Sequence, residues 1–181
     1  KSAAQSLRTS ILTRVRRRLR VGLNVTGVTR AALQIGQLAG DEPFARAEKA
    51  VYCLGLAARA FDAVLLHLPN EARELESLRL ELAHNKATIL SNIARFEILR
   101  GRLGEASNAL QEAAQHSQAL NGVRRLDHNS SEMELAGAIA YFSHDQNHAR
   151  LLWEDAHALA LRTGNGYRAE SIRANLDLMD R

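Results

Sequence analysis

Apolar side chains recur along this chain at helical spacings of three and four, and no stretch alternates with the period of two that a half-buried strand needs. Leu7, Ile11, Val15, Leu19 and Leu23 fall at every fourth position and predict a narrow apolar stripe on one helix. Gly22, Asn24 and Gly27 weaken the helix beyond it, and residues 28–38 are expected to form a second, shorter helix. Gly40-Asp41-Glu42-Pro43 then reads as a helix stop and a new start, with Asp41 as cap and Pro43 in the first turn. Phe44, Ala47, Val51, Leu54, Ala58, Phe61, Leu65 and Leu68 continue as a seam with heptad-like spacing, which Pro69-Asn70 ends. Over residues 72–100 the seam returns as Leu75, Leu78, Leu82, Ile89, Ile93 and Phe96, with Asn85 at one expected apolar site. The short connection predicts an antiparallel hairpin.

Gly101 closes that helix. A third is expected over residues 104–120, with Leu103, Ala106, Leu110, Ala113, Ser117 and Leu120 on one face. Residues 121–131 are polar and read as a loop. Ser130 or Ser131 caps the next helix, with Glu134 at capping-box distance from Ser131. A turn at 143–147 and a break at Gly164-Asn165-Gly166 separate two more helices. The last, about 168–180, carries Ala169, Ile172, Leu176 and Met179 on one face. That face has no charged cover, so the natural protein is expected to continue. The fold class expected is all-α.

Two stretches align. Leu90-x-x-Ile93-Ala94-x-x-Glu97 is succeeded by Gly101, Ala106 and Leu110; Met133-x-x-Ala136-Gly137-x-x-Ala140 is succeeded by Ala149 and Trp153. In each, a small residue on one helix precedes a small residue on the next by 12 positions, and a large apolar residue lies four further on. Antiparallel helices approach closely only where the crossing side chains are small, and a large residue one turn later fills the gap.

With this order of small and large positions, residues about 86–181 resemble the tetratricopeptide-repeat family. Gly101-Arg102-Leu103-Gly104-Glu105-Ala106 looks like its inter-helix turn, and Arg162 to Glu170 resembles the junction of its longer-repeat variants. The chain departs from the family in its period of 43, from Ala106 to Ala149, against a usual 34. Leu90 and Met133 stand where the family often has Trp, Glu97 replaces an aromatic, and His144-Asp145-Gln146 lacks the usual glycine. The resemblance implies antiparallel hairpins stacked as an α-solenoid. The first helix of each repeat then lines a concave surface, placing Ser91, Asn92, Arg95, Ile98 and Leu99 there, with Glu134, Tyr141 and Phe142 from the next repeat. It also implies that Asn92, two residues before the small position, hydrogen-bonds a bound peptide. Leu135 holds the matching place in the second repeat and has no such capacity.

Composition narrows the function classes. The chain has 181 residues, 46% hydrophobic and 24% charged, with two prolines and one cysteine. Disulfide scaffolds and cysteine-based zinc modules are excluded. Cys53 sits beside the apolar seam and reads as a buried structural thiol in a reducing, cytoplasmic setting. His144 and His148 are four apart, but the repeat alignment puts them on a turn without a third ligand. The other histidines, His84 and His128 among them, read as scattered surface or half-buried residues. No phosphate-binding glycine loop and no nucleophile elbow occur. The chain reads as non-enzymatic, with no cofactor and no metal.

Charge divides the chain. Residues 1–40 hold eight basic residues and no acid, while the rest carries a net −4, for +4 overall. The division expected is a basic N-terminal helical arm, 1–40, and a helical body, 41–181. Arg14, Arg16, Arg17, Arg18 and Arg20 concentrate the arm's charge. Its apolar stripe most simply docks on the body or on a second copy of the chain. Its arginines also suit phosphates of nucleic acid or an anionic membrane surface, although no aromatic precedes Phe44 for base stacking. The arm, rich in Arg and Ser and free of acids, also has the composition of a transit peptide. The function expected is a protein–protein interaction scaffold holding a partner peptide or helix in a groove. The alternative is a regulatory or nucleic-acid-associated protein acting through the arm.

Overall fold

A computed structural model describes residues 43–65 and 73–180. Among these, the secondary structure is six α-helices and no strand: α1 Pro43–Leu65, α2 Arg73–Leu99, α3 Leu103–Ser117, α4 Gly122–Phe142, α5 Gln146–Arg162 and α6 Gly166–Met179. No helix among them is long and apolar enough to cross a membrane. The basic arm, the Gly40-Asp41 boundary and the Pro69-Asn70 stop lie outside the described residues.

The chain divides into two compact units, Lys1–Leu82 and Ala83–Arg181. In the first, α1 buries Ala47, Ala50, Leu54, Ala57 and Ala58. The buried stripe therefore centres on alanines as much as on the expected seam, and Val51 is only half-buried. Cys53, expected to be buried, is half-buried.

Three of the four joints of the second unit share one geometry. Gly101, His144 and Gly164 all adopt positive φ, at 72°, 66° and 72°. At each, the amide of the next residue donates back to a carbonyl one turn earlier: Arg102 to Glu97, Asp145 to Ala140 and Asn165 to Ala160, all at 2.9 Å. This closure satisfies carbonyls that a helix end leaves bare and reverses the chain within three residues. Asp145 and Asn165 then cap the next helices, their side chains accepting from the amides of His148 and Arg168 at 3.1 Å. The missing glycine at position 144 is thus a sequence departure without a structural one. Histidine takes the left-handed conformation at a steric cost that glycine avoids.

Packing obeys the small-and-large rule. Ala94, Ala106 and Ala149 are fully buried. Ala94 meets Ala109, Leu110 and Leu135 in one core cluster. Ala140, Ala149, Trp153, Ala156, Ala160, Ala169 and Ile172 form a second, joining α4, α5 and α6. The indole of Trp153 lies across Gly137, where an added Cβ would fall 2.5 Å from the ring's Cδ1 and Nε1. The indole N–H donates to the Glu134 carbonyl at 2.9 Å.

Residues 121–131 are not the loop their polarity suggests. They form the first turns of α4, with Asn121 as cap. Ser130 and Ser131, expected as caps, are buried inside the helix. The Ser130 hydroxyl donates to the Ala156 carbonyl at 2.8 Å, so its polarity serves helix contact.

Two substitutions test this architecture. His144→Gly relieves the left-handed histidine and should stabilise the chain by about 1 kcal/mol in urea unfolding. Gly137→Ala drives a methyl into the Trp153 ring and should destabilise it by roughly 1–3 kcal/mol.

Candidate binding site

Helices α2, α4 and α6 are alternate in sequence, yet they exchange side-chain contacts directly. Between α2 and α4, His84 Nδ1 lies 2.9 Å from His128 Nε2. The two rings meet edge to face at 5.0 Å between centroids. Between α4 and α6, Arg168 Nη1 donates to the backbone carbonyl of Asp127 at 2.6 Å and to its Oδ1 at 2.9 Å. Asn165 Nδ2 donates to the same Oδ1 at 2.9 Å. The Glu134 carboxylate stands between two guanidiniums, 3.9 Å from Arg95 Nη2 and 3.7 Å from Arg168 Nε.

These contacts frame a cavity of about 250 Å³. His84, Thr88, Ser91, Asn92 and Arg95 line it from α2, spaced so that one helix face carries them all. Asp127, His128 and Ser131 line it from α4, and Arg168 from α6.

Its electrostatics derive from burial. The His128 imidazole is pushed down from its ordinary 6.5 to about 4, first by desolvation and then by the charge of His84. At the His84–His128 contact one ring nitrogen donates and the other accepts. Asn92 Oδ1 accepts from Arg95 Nη1 at 3.4 Å. The Ser91 hydroxyl is buried and has no hydrogen-bond partner, an arrangement that costs about 1–3 kcal/mol.

A second, more open depression of about 600 Å³ lies between α3 and α4, where Leu110, Met133 and Ala136 face Arg125 and Glu132. There Ser117 Oγ donates to Glu132 Oε1 and accepts from Arg125 Nη1, each at 2.5 Å. Burial raises the Glu132 carboxyl above its ordinary value.

Of the groove residues expected from sequence, Ser91, Asn92 and Arg95 come together at the cavity, and Glu134 reaches them through Arg95. Tyr141 instead packs on Trp153 and Phe142, with ring centroids at 5.7 and 5.5 Å. Phe142 and Leu99 are exposed and do not line the cavity. Sequence reasoning misses His84, Asp127, His128, Ser131 and Arg168 as site residues. On α2 the signal is the helical spacing of positions 84, 88, 91 and 95. On α4 the polarity of residues 121–131 hides it by suggesting a loop. His144 and His148 are exposed on the turn and first turn of α5. Among the described residues no three His, Cys, Asp or Glu side chains gather as a metal site.

Comparison with known proteins finds no matching family model, no similar curated protein and no similar solved structure.

Burial of His128 also makes stability depend on pH. Between pH 6.5 and about 4, the unfolded chain binds more protons at this site than the folded one, so acidification favours unfolding. Stability in urea should fall across that window. His128→Asn should flatten the slope by on the order of 1 kcal/mol, allowing for solvent at the cavity mouth.

Proposed function

We propose that the chain is a non-enzymatic protein–protein interaction scaffold, an α-solenoid of the tetratricopeptide-repeat kind whose groove receives a partner peptide. One observation carries this reading: α2, α4 and α6 bring polar side chains to one face, around a cavity sized for a single side chain or chain end. The repeated joints at Gly101, His144 and Gly164 support it, as do the matched crossings 43 positions apart. Rigid stacked helices present preformed contacts, so binding loses little ordering entropy. On this reading Asn92 and Arg95 hold the peptide, while Leu99 and Phe142 offer apolar contacts further along α2 and α4.

A peptide selected from a displayed library against the whole chain tests it. Arg95→Glu and Asn92→Ala should each weaken the selected peptide at least tenfold, about 1.4 kcal/mol. Glu154→Ala, on an exposed site of α5, should leave it unchanged. Equal affinity in all three variants would remove the groove assignment.

A further inference from the structure

Two asparagines of this chain precede glycine, in Asn121-Gly122 and Asn165-Gly166. A backbone amide nitrogen can attack the carboxamide carbon of the asparagine before it, and glycine has no Cβ to shield that nitrogen. Asparagine is thermolabile for this reason. All the other asparagines precede a residue with a Cβ. The two pairs occupy matching places, each spanning the cap and the first residue of a helix, α4 in one case and α6 in the other. Their surroundings differ in the features that control the attack.

Asn165 is held at both ends of its carboxamide. Nδ2 donates to Asp127 Oδ1 at 2.9 Å, and Oδ1 accepts from the Arg168 amide at 3.1 Å. The Gly166 amide donates to the Gly164 carbonyl at 3.1 Å. With ψ at 75°, that nitrogen lies across the Cα–C bond from Cβ, away from the carboxamide. Ring closure at this joint therefore requires local unfolding. Asn121, by contrast, is exposed, and its side chain makes no capping hydrogen bond. The Gly122 amide opens α4, so no intrahelical carbonyl awaits it. Among the described residues no other backbone carbonyl meets it. Outside its own helix and chain neighbours, no atom lies within 4 Å of the place a Cβ on Gly122 would take, so hydroxide reaches the nitrogen. At ψ 161° the nitrogen stands beside Cβ, and a partial rotation at the start of the helix brings it onto Cγ.

We propose that Asn121 is a self-modification site, which deamidates in the folded chain to aspartate and isoaspartate while Asn165 persists. Hydroxide takes the Gly122 amide proton. The nitrogen forms a bond to Asn121 Cγ, and the carboxamide nitrogen leaves as ammonia with a proton from water. Water then opens the cyclic imide at one of its two C–N bonds. Opening at Cγ leaves aspartate. Opening at the main-chain carbonyl leaves isoaspartate, with the chain running through Cβ and Cγ. The net change is carboxamide and water to carboxylate and ammonium, with no redox step.

The new charge falls where α4 lacks one. Its first turn has no acid and holds Arg124 and Arg125, like charges at the positive end of the helix dipole. Arg125 Nη1 in turn donates to Ser117 Oγ, which donates to Glu132, so the start of α4 is tied to α3. A carboxylate at position 121 offsets the two arginines and caps the open amides, as Asp145 caps α5. The isoaspartate product instead places one extra backbone carbon ahead of the turns that carry Arg125, Asp127 and His128. One slow reaction thus yields a firmer joint or a lengthened one.

The test incubates the whole chain for days in mildly alkaline buffer made with heavy-oxygen water, once folded and once in urea. Peptides are then mapped by mass, and fragmentation separates aspartate from isoaspartate. In the folded chain, position 121 should take up the heavy oxygen at least about tenfold faster than position 165, and its rate should rise with hydroxide. In urea the two positions should convert at similar rates, because the difference resides in the fold. Both readings are made on the unaltered chain, so no variant has to fold. Equal rates in the folded chain would overturn the proposal. So would faster conversion at 165, or an Asn121 that reacts only once the chain is unfolded. Asn121→Asp makes the aspartate product directly and should raise the thermal midpoint at low salt, with the gain fading as salt is added. An unchanged or lowered midpoint would overturn the capping role. Neither arm touches Asn92 or Arg95, so the outcome is independent of the groove reading.

Discussion

The second unit depends on how closely successive helices can approach, and at the crossing of α4 and α5 Trp153 lies on the bare backbone of Gly137. With no side chain at that position, α5 settles against α4 and the indole N–H reaches the Glu134 carbonyl. Ala149, Ala156 and Ala160 keep the rest of the contact shallow, and Ala169 and Ile172 extend it to α6. Ala94 and Ala109 serve the same end between α2 and α3. Small residues thus fix the distances between neighbours. The left-handed joints at Gly101, His144 and Gly164 fix three of the four reversals. Together they bring α2, α4 and α6 within side-chain reach of one another.

That second-order adjacency creates the polar face. A helix packed on sequence neighbours alone would leave His84, Asp127 and Arg168 in water. Here they meet across helix boundaries, and several polar groups are buried with them. His128 and Ser130 find partners in His84 and the Ala156 carbonyl. Glu97, at a position where the repeat pattern has an aromatic, is buried with Arg100 Nη1 at 3.0 Å. Ser91 finds none. Buried polar groups are normally satisfied, so the exception, at the wall of the cavity, is where an external partner has most to offer.

Much of this is legible in the sequence. The seam over Ala106, Leu110, Ala113 and Ser117 is the buried face of α3, and the helix stops at Gly101 and Gly164 lie within a residue of their turns. Helical spacing alone puts Ser91, Asn92 and Arg95 on one face. The failures share a physical cause. Polarity suggests exposure at residues 121–131, where Asp127, His128 and Ser130 are polar because they bond to other helices. Register alone assigns Tyr141 to the groove, yet its ring packs on Trp153. Periodicity specifies which face a residue shares; it does not specify which other helix that face meets, and the histidine pair depends wholly on that second fact.

The central claim is that the face built by α2, α4 and α6 is the one that meets a partner. Mapping amide and side-chain shifts of the isotopically labelled chain on addition of a selected peptide tests it most directly. The account predicts that perturbed residues cluster around Ser91, Asn92, Arg95, His128 and Arg168. Perturbations confined to the exposed positions of α3 and α5, such as Gln111 and Glu154, would contradict it.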